Sequence, residues 1–202
     1  MKLIVMTRPT FFVEEDKILT TLFEEGMDML HLYKPQSEPV FCERLLSLIP
    51  DDYHRRIMVH DHFYLKDEYR LKGIHLNHPD DQPPAGYRGS LSCTCRSTGE
   101  LKEAKRRSDY VFLKSLFDSL TTPEDKQSLG IEEVEEAERR GLIDRKVYAM
   151  GGISLDNVAL ARRLGFGGVV VCGDLWNKFN IHNEIDFKGL IDHFRKLRKA
   201  VG

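Results

Sequence analysis

The sequence lacks the features that mark a secreted, membrane-bound or nucleic-acid-binding protein. Its four cysteines, Cys42, Cys93, Cys95 and Cys172, form no spaced framework, and a C-x-C pair is neither a standard zinc motif nor a standard redox motif. Its 30 lysines and arginines are balanced by 32 aspartates and glutamates, which leaves no basic field for nucleic acid or an anionic bilayer. No apolar run reaches transmembrane length, and no signal-peptide pattern begins the chain. We therefore expect a cytoplasmic protein with reduced thiols and neither a nucleic-acid nor a membrane partner.

The chain also lacks any stretch that looks like a linker, so its 202 residues predict a single domain, 1–202. Eight short apolar runs alternate along it with amphipathic segments. Continuous apolar strands that alternate with helices indicate a parallel sheet buried on both faces. The stretch 79–86 contains three prolines and two aspartates and is a poor helix. We predict a (β/α)₈ barrel with a reduced fourth helix, and a doubly wound sheet is the alternative.

The stretch 146–173 reads as a strand, a helix that Ser154 would cap, and a second strand rich in valine. The residues that follow its two strands are Gly151, Gly152, Cys172 and Gly173. Glycine lets backbone N–H groups approach a ligand closely, and a helix N-terminus favours an anion. In a (β/α)₈ barrel the loops after the seventh and eighth strands commonly hold a phosphate. We predict a phosphate site here, and a plain tight turn is the competing interpretation.

Polar side chains also follow the other predicted strands, where a barrel carries its catalytic groups. They are Lys34, His60, Asp61, His78, Asp80, Thr94 and Arg96. Asp61 and Asp80 follow adjacent strands and could converge on one hard cation. Mg²⁺ binds through one or two carboxylates together with substrate phosphates. This pair therefore indicates magnesium and a diphosphate, although Asp80 is also an ordinary turn residue beside Pro79.

Four histidines lie near the same two strand ends and make a transition-metal site an alternative. They are His60, His62, His75 and His78. The competing interpretation places His75 and one neighbour inside the barrel, with satisfied hydrogen bonds, and the others on the surface. The thiol of Cys172 is interpreted as a packing group whose backbone is available to phosphate.

Short segments spread over nearly the whole chain carry a family resemblance. They read VHDHFYL and GIHLNHPD, TCRSTGEL, DYVFLKSLFDSLTT, and AMGGIS with GGVVVCG. The sequence thereby resembles the thiamine phosphate synthase and thiazole tautomerase superfamily, whose members are small (β/α)₈ proteins. In the synthase branch a magnesium-bound pyrimidine diphosphate loses pyrophosphate, and the nitrogen of a thiazole phosphate captures the resulting cation.

The resemblance implies a role for each candidate residue. Mg²⁺ would lie on Asp61 and Asp80, and the thiazole phosphate on Gly151, Gly152, Cys172 and Gly173. Catalytic groups would be Lys34, Thr94, Arg96 and Lys114, and further substrate contacts Tyr33, His60, His78, Ser119 and Thr121. The implied partners are small phosphorylated heterocycles. A homodimer is left open.

The sequence departs from the family pattern at several of these positions. Tyr33 stands where an arginine is expected, His60 where an asparagine is expected, and Thr122 where a lysine is expected. Lys114 begins a Lys-Ser pair in place of Gly-Pro, and Arg96 takes the place of the tautomerase histidine. A guanidinium does not deprotonate at ordinary pH. We therefore predict magnesium-dependent coupling of hydroxymethylpyrimidine diphosphate with thiazole phosphate. The alternatives are a tautomerase-like isomerase with another base and a non-catalytic phosphate-ligand-binding or regulatory protein.

Overall fold

Eight parallel strands close into a barrel in chain order, with the last strand paired to the first. They are β1 (Lys2–Met6), β2 (Met29–Leu32), β3 (Ile57–Val59), β4 (Gly73–Leu76), β5 (Ser90–Cys95), β6 (Tyr110–Leu113), β7 (Val147–Ala149) and β8 (Gly168–Val171). The computed structural model describes residues 1–121, 126–127, 129–180 and 184–202. The barrel confirms the predicted (β/α)₈ fold and rules out the doubly wound sheet.

Helices surround the barrel on its outer side. They are α1 (Glu15–Glu24), α2 (Pro39–Leu48), α3 (Leu65–Glu68), α4 (Leu101–Arg107), α5 (Ile131–Arg139), α6 (Val158–Arg163), α7 (Gly173–Trp176) and α8 (Glu184–Val201). Between β4 and β5 the backbone forms turns and no helix, which confirms the reduced fourth helix. No helix within the described ranges is long and apolar enough to cross a bilayer.

The predicted cap at Ser154 is wrong, because α6 begins four residues later. Asn157 precedes the helix, and its Oδ1 accepts the backbone N–H of Ser154 at 2.8 Å. Its Nδ2 donates to the carbonyl of Gly152 at 2.9 Å. The asparagine therefore closes a turn that joins the glycine pair to the helix. A serine in such a turn cannot be told from an N-cap by residue type alone.

Buried apolar side chains form two cores because residues along a strand point alternately inward and outward. The larger core lies between the strands and the helices and includes Leu3, Val5 and Val171. The smaller set lines the barrel interior: Ile4, Met6, Met29, Met58, Tyr110, Phe112, Tyr148 and Val170.

Side-chain hydrogen bonds hold both ends of β1. At its start, Asp28 accepts the N–H of Leu3 at 2.8 Å and the guanidinium of Arg198 in α8 at 2.6 Å. At its end, the indole of Trp176 donates to the carbonyl of Met6 at 2.7 Å. The helix α7, which the sequence analysis missed, therefore fixes the seam between β8 and β1.

We expect Gly73→Ala to lower the free energy of unfolding by about 1–3 kcal/mol, the range for overpacking. A Cβ at Gly73 would lie 1.9 Å from the carbonyl oxygen of Ser90 in the neighbouring strand. The matched control is Gly189→Ala in α8, where a Cβ meets nothing within 4 Å. That change should stabilise the protein by about 0.5–1 kcal/mol, because alanine favours a helix. Urea denaturation of both variants measures the two effects, and equal effects would contradict the close strand approach.

Candidate active site

A cavity of about 420 Å³ opens at the carboxyl ends of the strands. Predicted site residues that line it are Tyr33, His60, Thr94, Arg96, Lys114, Ser119, Thr121, Gly151, Gly152, Cys172 and Gly173. Met6, Thr7, Pro9 and Asn77 also line it, although the sequence analysis did not select them. Four predicted residues are not among its walls: Lys34, Asp61, His78 and Asp80. Thr122 lies outside the described residues. Closure of the barrel thus brings most of the described candidates together at one cavity.

Gly151 and Gly152 form a wall of the cavity where only glycine fits. Their φ angles are +93° and +62°, in the left-handed region that disfavours side chains. A Cβ on Gly151 would lie 2.8 Å from the nitrogen of Ser115, and one on Gly152 would lie 2.2 Å from the carbonyl oxygen of Asp118. The loop after β6 therefore packs directly on the glycine pair. A hydrogen bond also holds this loop in place, because the N–H of Phe117 donates to the carbonyl of Gly151 at 3.2 Å.

Gly173 continues this wall at the start of α7. A Cβ there would lie 2.6 Å from the Cβ of Leu120, so the same loop also approaches this turn. The first N–H groups of a helix have no acceptor within it and favour a negative charge. Burial raises the pKa of the Cys172 thiol to about 11, so the thiol is neutral at ordinary pH. This agrees with a packing role for Cys172 and does not favour a nucleophile.

Two cationic side chains share the neighbouring wall. Arg96 and Lys114 follow β5 and β6, which are adjacent in the barrel. The backbone N–H of Arg96 donates to Glu100 at 2.8 Å, and that of Lys114 donates to the carbonyl of Cys95 at 2.9 Å. These hydrogen bonds fix the backbone at Arg96 and at Lys114, directly after the two strands. Positive charge therefore lies on the walls next to the glycine turns.

Lys34 is buried away from the cavity in a pair that the sequence did not predict. Its ammonium lies 2.6 and 2.9 Å from the two carboxylate oxygens of Glu15 and donates to the carbonyl of Thr10 at 3.0 Å. Both side chains are about 2% exposed or less. Burial raises the pKa of Glu15 to about 6 and lowers the pKa of Lys34. Direct contact favours the charged form of each partner, so we assign an ion pair.

The two predicted magnesium ligands differ in their surroundings. One oxygen of Asp61, Oδ2, is buried and has no hydrogen-bond partner within the described part of the chain. Such an atom is costly unless something binds it, and a hard cation is a suitable partner. The Asp80 side chain is 90% exposed, and its carboxylate lies 3.4 Å from Nδ1 of His78. Asp61 therefore fits a magnesium ligand better than Asp80.

The alternative of a four-histidine metal site is wrong, and the competing interpretation is confirmed, because His75 and His60 are buried and hydrogen-bonded inside the barrel. His62 bonds the carbonyl of Ser37 at 2.8 Å, and His78 is partly exposed beside Asp80. The histidines that do cluster are His31, His60 and His75, all buried inside the barrel. His31 was not predicted as a site residue, although its place between Met29 and Tyr33 at alternate strand positions indicates an inward side chain.

The fold and the cavity define a (β/α)₈ barrel protein with a small-ligand site at the carboxyl ends of its strands. The model of the family described as thiamine monophosphate synthase matches residues 4–175. The chain therefore belongs to the thiamine monophosphate synthase family, which confirms the superfamily resemblance.

Individual relatives agree with this assignment. A thiamine phosphate pyrophosphorylase from Bacteroides thetaiotaomicron is 50% identical with a TM-score of 0.88, and the match covers 99% of this chain and 97% of that one. A thiamine-phosphate synthase of Prochlorococcus marinus (strain AS9601) is 25% identical over 167 residues, 80% of this chain. The chain spans 44% of the length of that relative. A thiamine phosphate pyrophosphorylase from Pyrococcus furiosus, 20% identical with a TM-score of 0.76 over 99% of this chain and 95% of that one, shares the fold.

We expect Lys34→Met to lower the free energy of unfolding by about 3–5 kcal/mol, because it leaves the buried Glu15 carboxylate unpaired. The double variant Glu15→Leu with Lys34→Met removes both charges and should recover most of that loss. Urea denaturation measures both. If Lys34→Met were as stable as the wild type but failed to bind a diphosphate, the ammonium would belong to the ligand site.

Proposed function

We propose that this protein couples hydroxymethylpyrimidine diphosphate to thiazole phosphate and releases pyrophosphate. The observation that supports this most is the placement of two cations, Arg96 and Lys114, and the glycine turns after β7 and β8 around one cavity. A cavity of about 420 Å³ is within the usual size for small-ligand sites. Its cations suit a diphosphate, and its glycine turns suit a single phosphate.

Separation of the diphosphate leaves negative charge on the departing oxygen and positive charge on the pyrimidine methylene. In the proposed reaction Arg96 and Lys114 stabilise the departing pyrophosphate, and they do so most when the bond is breaking. The backbone at Gly152 and Gly173 holds the thiazole phosphate. This contact orients the ring nitrogen toward the methylene before the bond breaks, which reduces the entropy cost of capture.

Hydroxyl groups complete the proposed site. Thr94, Tyr33, Ser119 and Thr121 line the cavity and can donate to phosphate oxygens or to heterocycle nitrogens. Ser119 and Thr121 are also linked to each other, since their hydroxyl oxygens lie 3.2 Å apart. They belong to the loop that packs on the glycine turns.

In this proposal Asp61 would hold Mg²⁺, with Asp80 as the second carboxylate. The buried Oδ2 of Asp61, which has no hydrogen-bond partner among the described residues, supports the assignment. When bound, the ion neutralises charge on the diphosphate oxygens. Asp80 lies on the stretch between β4 and β5 that has no helix.

An isomerase of the tautomerase kind is the second candidate, and His60 is the observation that favours it. This imidazole lines the cavity and is uncharged, since burial lowers its pKa to about 3. A neutral imidazole can accept a proton from a ligand, and a pKa this low makes it a weak general base. A non-catalytic binder of a phosphorylated ligand would use the same cavity without either reaction.

We expect Lys114→Met to lower kcat for pyrophosphate release about 10²–10³-fold, as loss of one charge-stabilising group does. The matched control is Lys102→Met, which removes an exposed ammonium from α4 outside the cavity and should leave kcat unchanged. Release of pyrophosphate from the paired substrates is measured with and without Mg²⁺.

Other outcomes separate the candidates. No release at saturating substrate, with Asp61→Asn equal to the wild type, would exclude the coupling reaction. Metal-independent proton exchange on a thiazole carboxylate phosphate, lost in His60→Gln, would identify the isomerase. Binding of thiamine phosphate without either reaction would identify a binding protein.

A further inference from the structure

A hydrogen-bonded chain of polar side chains runs through the barrel interior beneath the cavity. His60 Nε2 lies 2.9 Å from His31 Nδ1, and His31 Nε2 lies 2.7 Å from the hydroxyl of Tyr110. Ser92 lies opposite Tyr110 on the neighbouring strand β5, and the two hydroxyl groups interact.

The chain continues from Ser92 back to the cavity. His75 Nδ1 lies 2.8 Å from Ser92 Oγ, and His75 Nε2 lies 2.8 Å from Thr94 Oγ1. Because His60 and Thr94 both line the cavity, the chain of six side chains leaves the cavity at one point and returns to it at another.

Burial keeps the six side chains of this hydrogen-bonded chain uncharged. All six side chains are 7% exposed or less, and none of them is a carboxylate that could balance an imidazolium. Burial lowers the pKa of His31 and of His75 well below the usual value. His31 and His75 are therefore neutral, each with one nitrogen that donates and one that accepts.

Ring geometry argues against a metal in the same cluster. One nitrogen from each of His31, His60 and His75 lies within 4.8 Å of the other two. The rings of His60 and His75, however, stack at 4.2 Å with an angle of 27°. The lone pairs of imidazole nitrogens lie in the ring plane, so stacked rings do not direct them to one point. Both nitrogens of His75 also have hydroxyl partners.

We propose that His60, His31, Tyr110, Ser92, His75 and Thr94 form a closed proton relay with both ends at the cavity. The relay lets a ligand lose a proton at one position and gain one at another. His60 Nδ1 and the Thr94 hydroxyl are the two exchange points, and the four side chains between them position the protons.

The proton balance closes without charging any group. In one state Thr94 donates to His75, His75 to Ser92, Ser92 to Tyr110, Tyr110 to His31 and His31 to His60, which leaves a proton on His60 Nδ1. When that proton passes to a ligand, each donor along the chain passes its proton onward, and Thr94 takes one proton from the ligand. In the resulting state every bond runs in the opposite direction, His60 Nδ1 is an acceptor, and each side chain is again neutral.

Nitrogen NMR of the free protein with ¹⁵N-labelled histidine tests the relay without any assumption about the reaction. Three neutral imidazoles are expected at pH 7. Tyr110→Phe should change the nitrogen shifts of His31 and also those of His60, which Tyr110 reaches only through His31. The matched control is Tyr148→Phe, because Tyr148 stacks on Tyr110 at 4.9 Å but lies outside the chain. It should leave both histidines unchanged.

Three results would overturn the relay: charged imidazoles, His60 shifts that Tyr110→Phe does not change, or stoichiometric Zn²⁺ that changes the nitrogen shifts of all three histidines. Should Tyr110→Phe fail to fold, Ser92→Ala is the second variant, and it should change His75 and His31 together. A kinetic readout rests on the isomerase candidate of the proposed function: Tyr110→Phe should lower kcat for proton exchange about 10²-fold with KM unchanged. Because the NMR result needs no turnover, failure of the proposed function and failure of the relay can be told apart.

Discussion

Closure of eight parallel strands into a barrel is the constraint on which the rest of this structure depends. A closed barrel has no free edge, and every second side chain of each strand must enter its interior. Here that interior holds aromatic and polar rings beside aliphatic side chains, including His31, His75 and Tyr110. Buried polar groups need hydrogen-bond partners, and the barrel provides them on neighbouring strands or, for His31 and Tyr110, across its interior. A hydrogen-bonded chain under the cavity is the result.

The walls of the cavity depend on close backbone contact. The loop after β6 lies against Gly151, Gly152 and Gly173 at distances that a Cβ would not permit. The absence of a Cβ at these glycines therefore allows the loop to pack closely, and it also allows a ligand to approach the backbone. The same loop carries Ser119 and Thr121 into the cavity, so the turns after β7 and β8 and the hydroxyl groups of the loop are positioned together.

Much of this arrangement was predictable from the sequence. The alternation of apolar runs and helices predicted the barrel, and the proline-rich stretch predicted the missing fourth helix, because these are local properties of the chain. The residues that follow the strands were predicted to meet, and most of them line one cavity. Lys34 is the clearest exception: its strand-end position is as expected, but its side chain binds Glu15. No local pattern indicates that pair, since its members are brought together only when α1 packs on the barrel.

The sequence by itself determined the order of the eight strands, the glycine turns and the family, because spacing, residue type and short motifs carry that information. Only the tertiary structure decided which histidines share the interior and which buried carboxylate oxygen, that of Asp61, lacks a partner in the part of the chain that the structure describes. The physical reason is that hydrogen bonds and burial at these positions depend on residues far apart in the chain, such as His31 and Tyr110. Their proximity exists only once the barrel has closed.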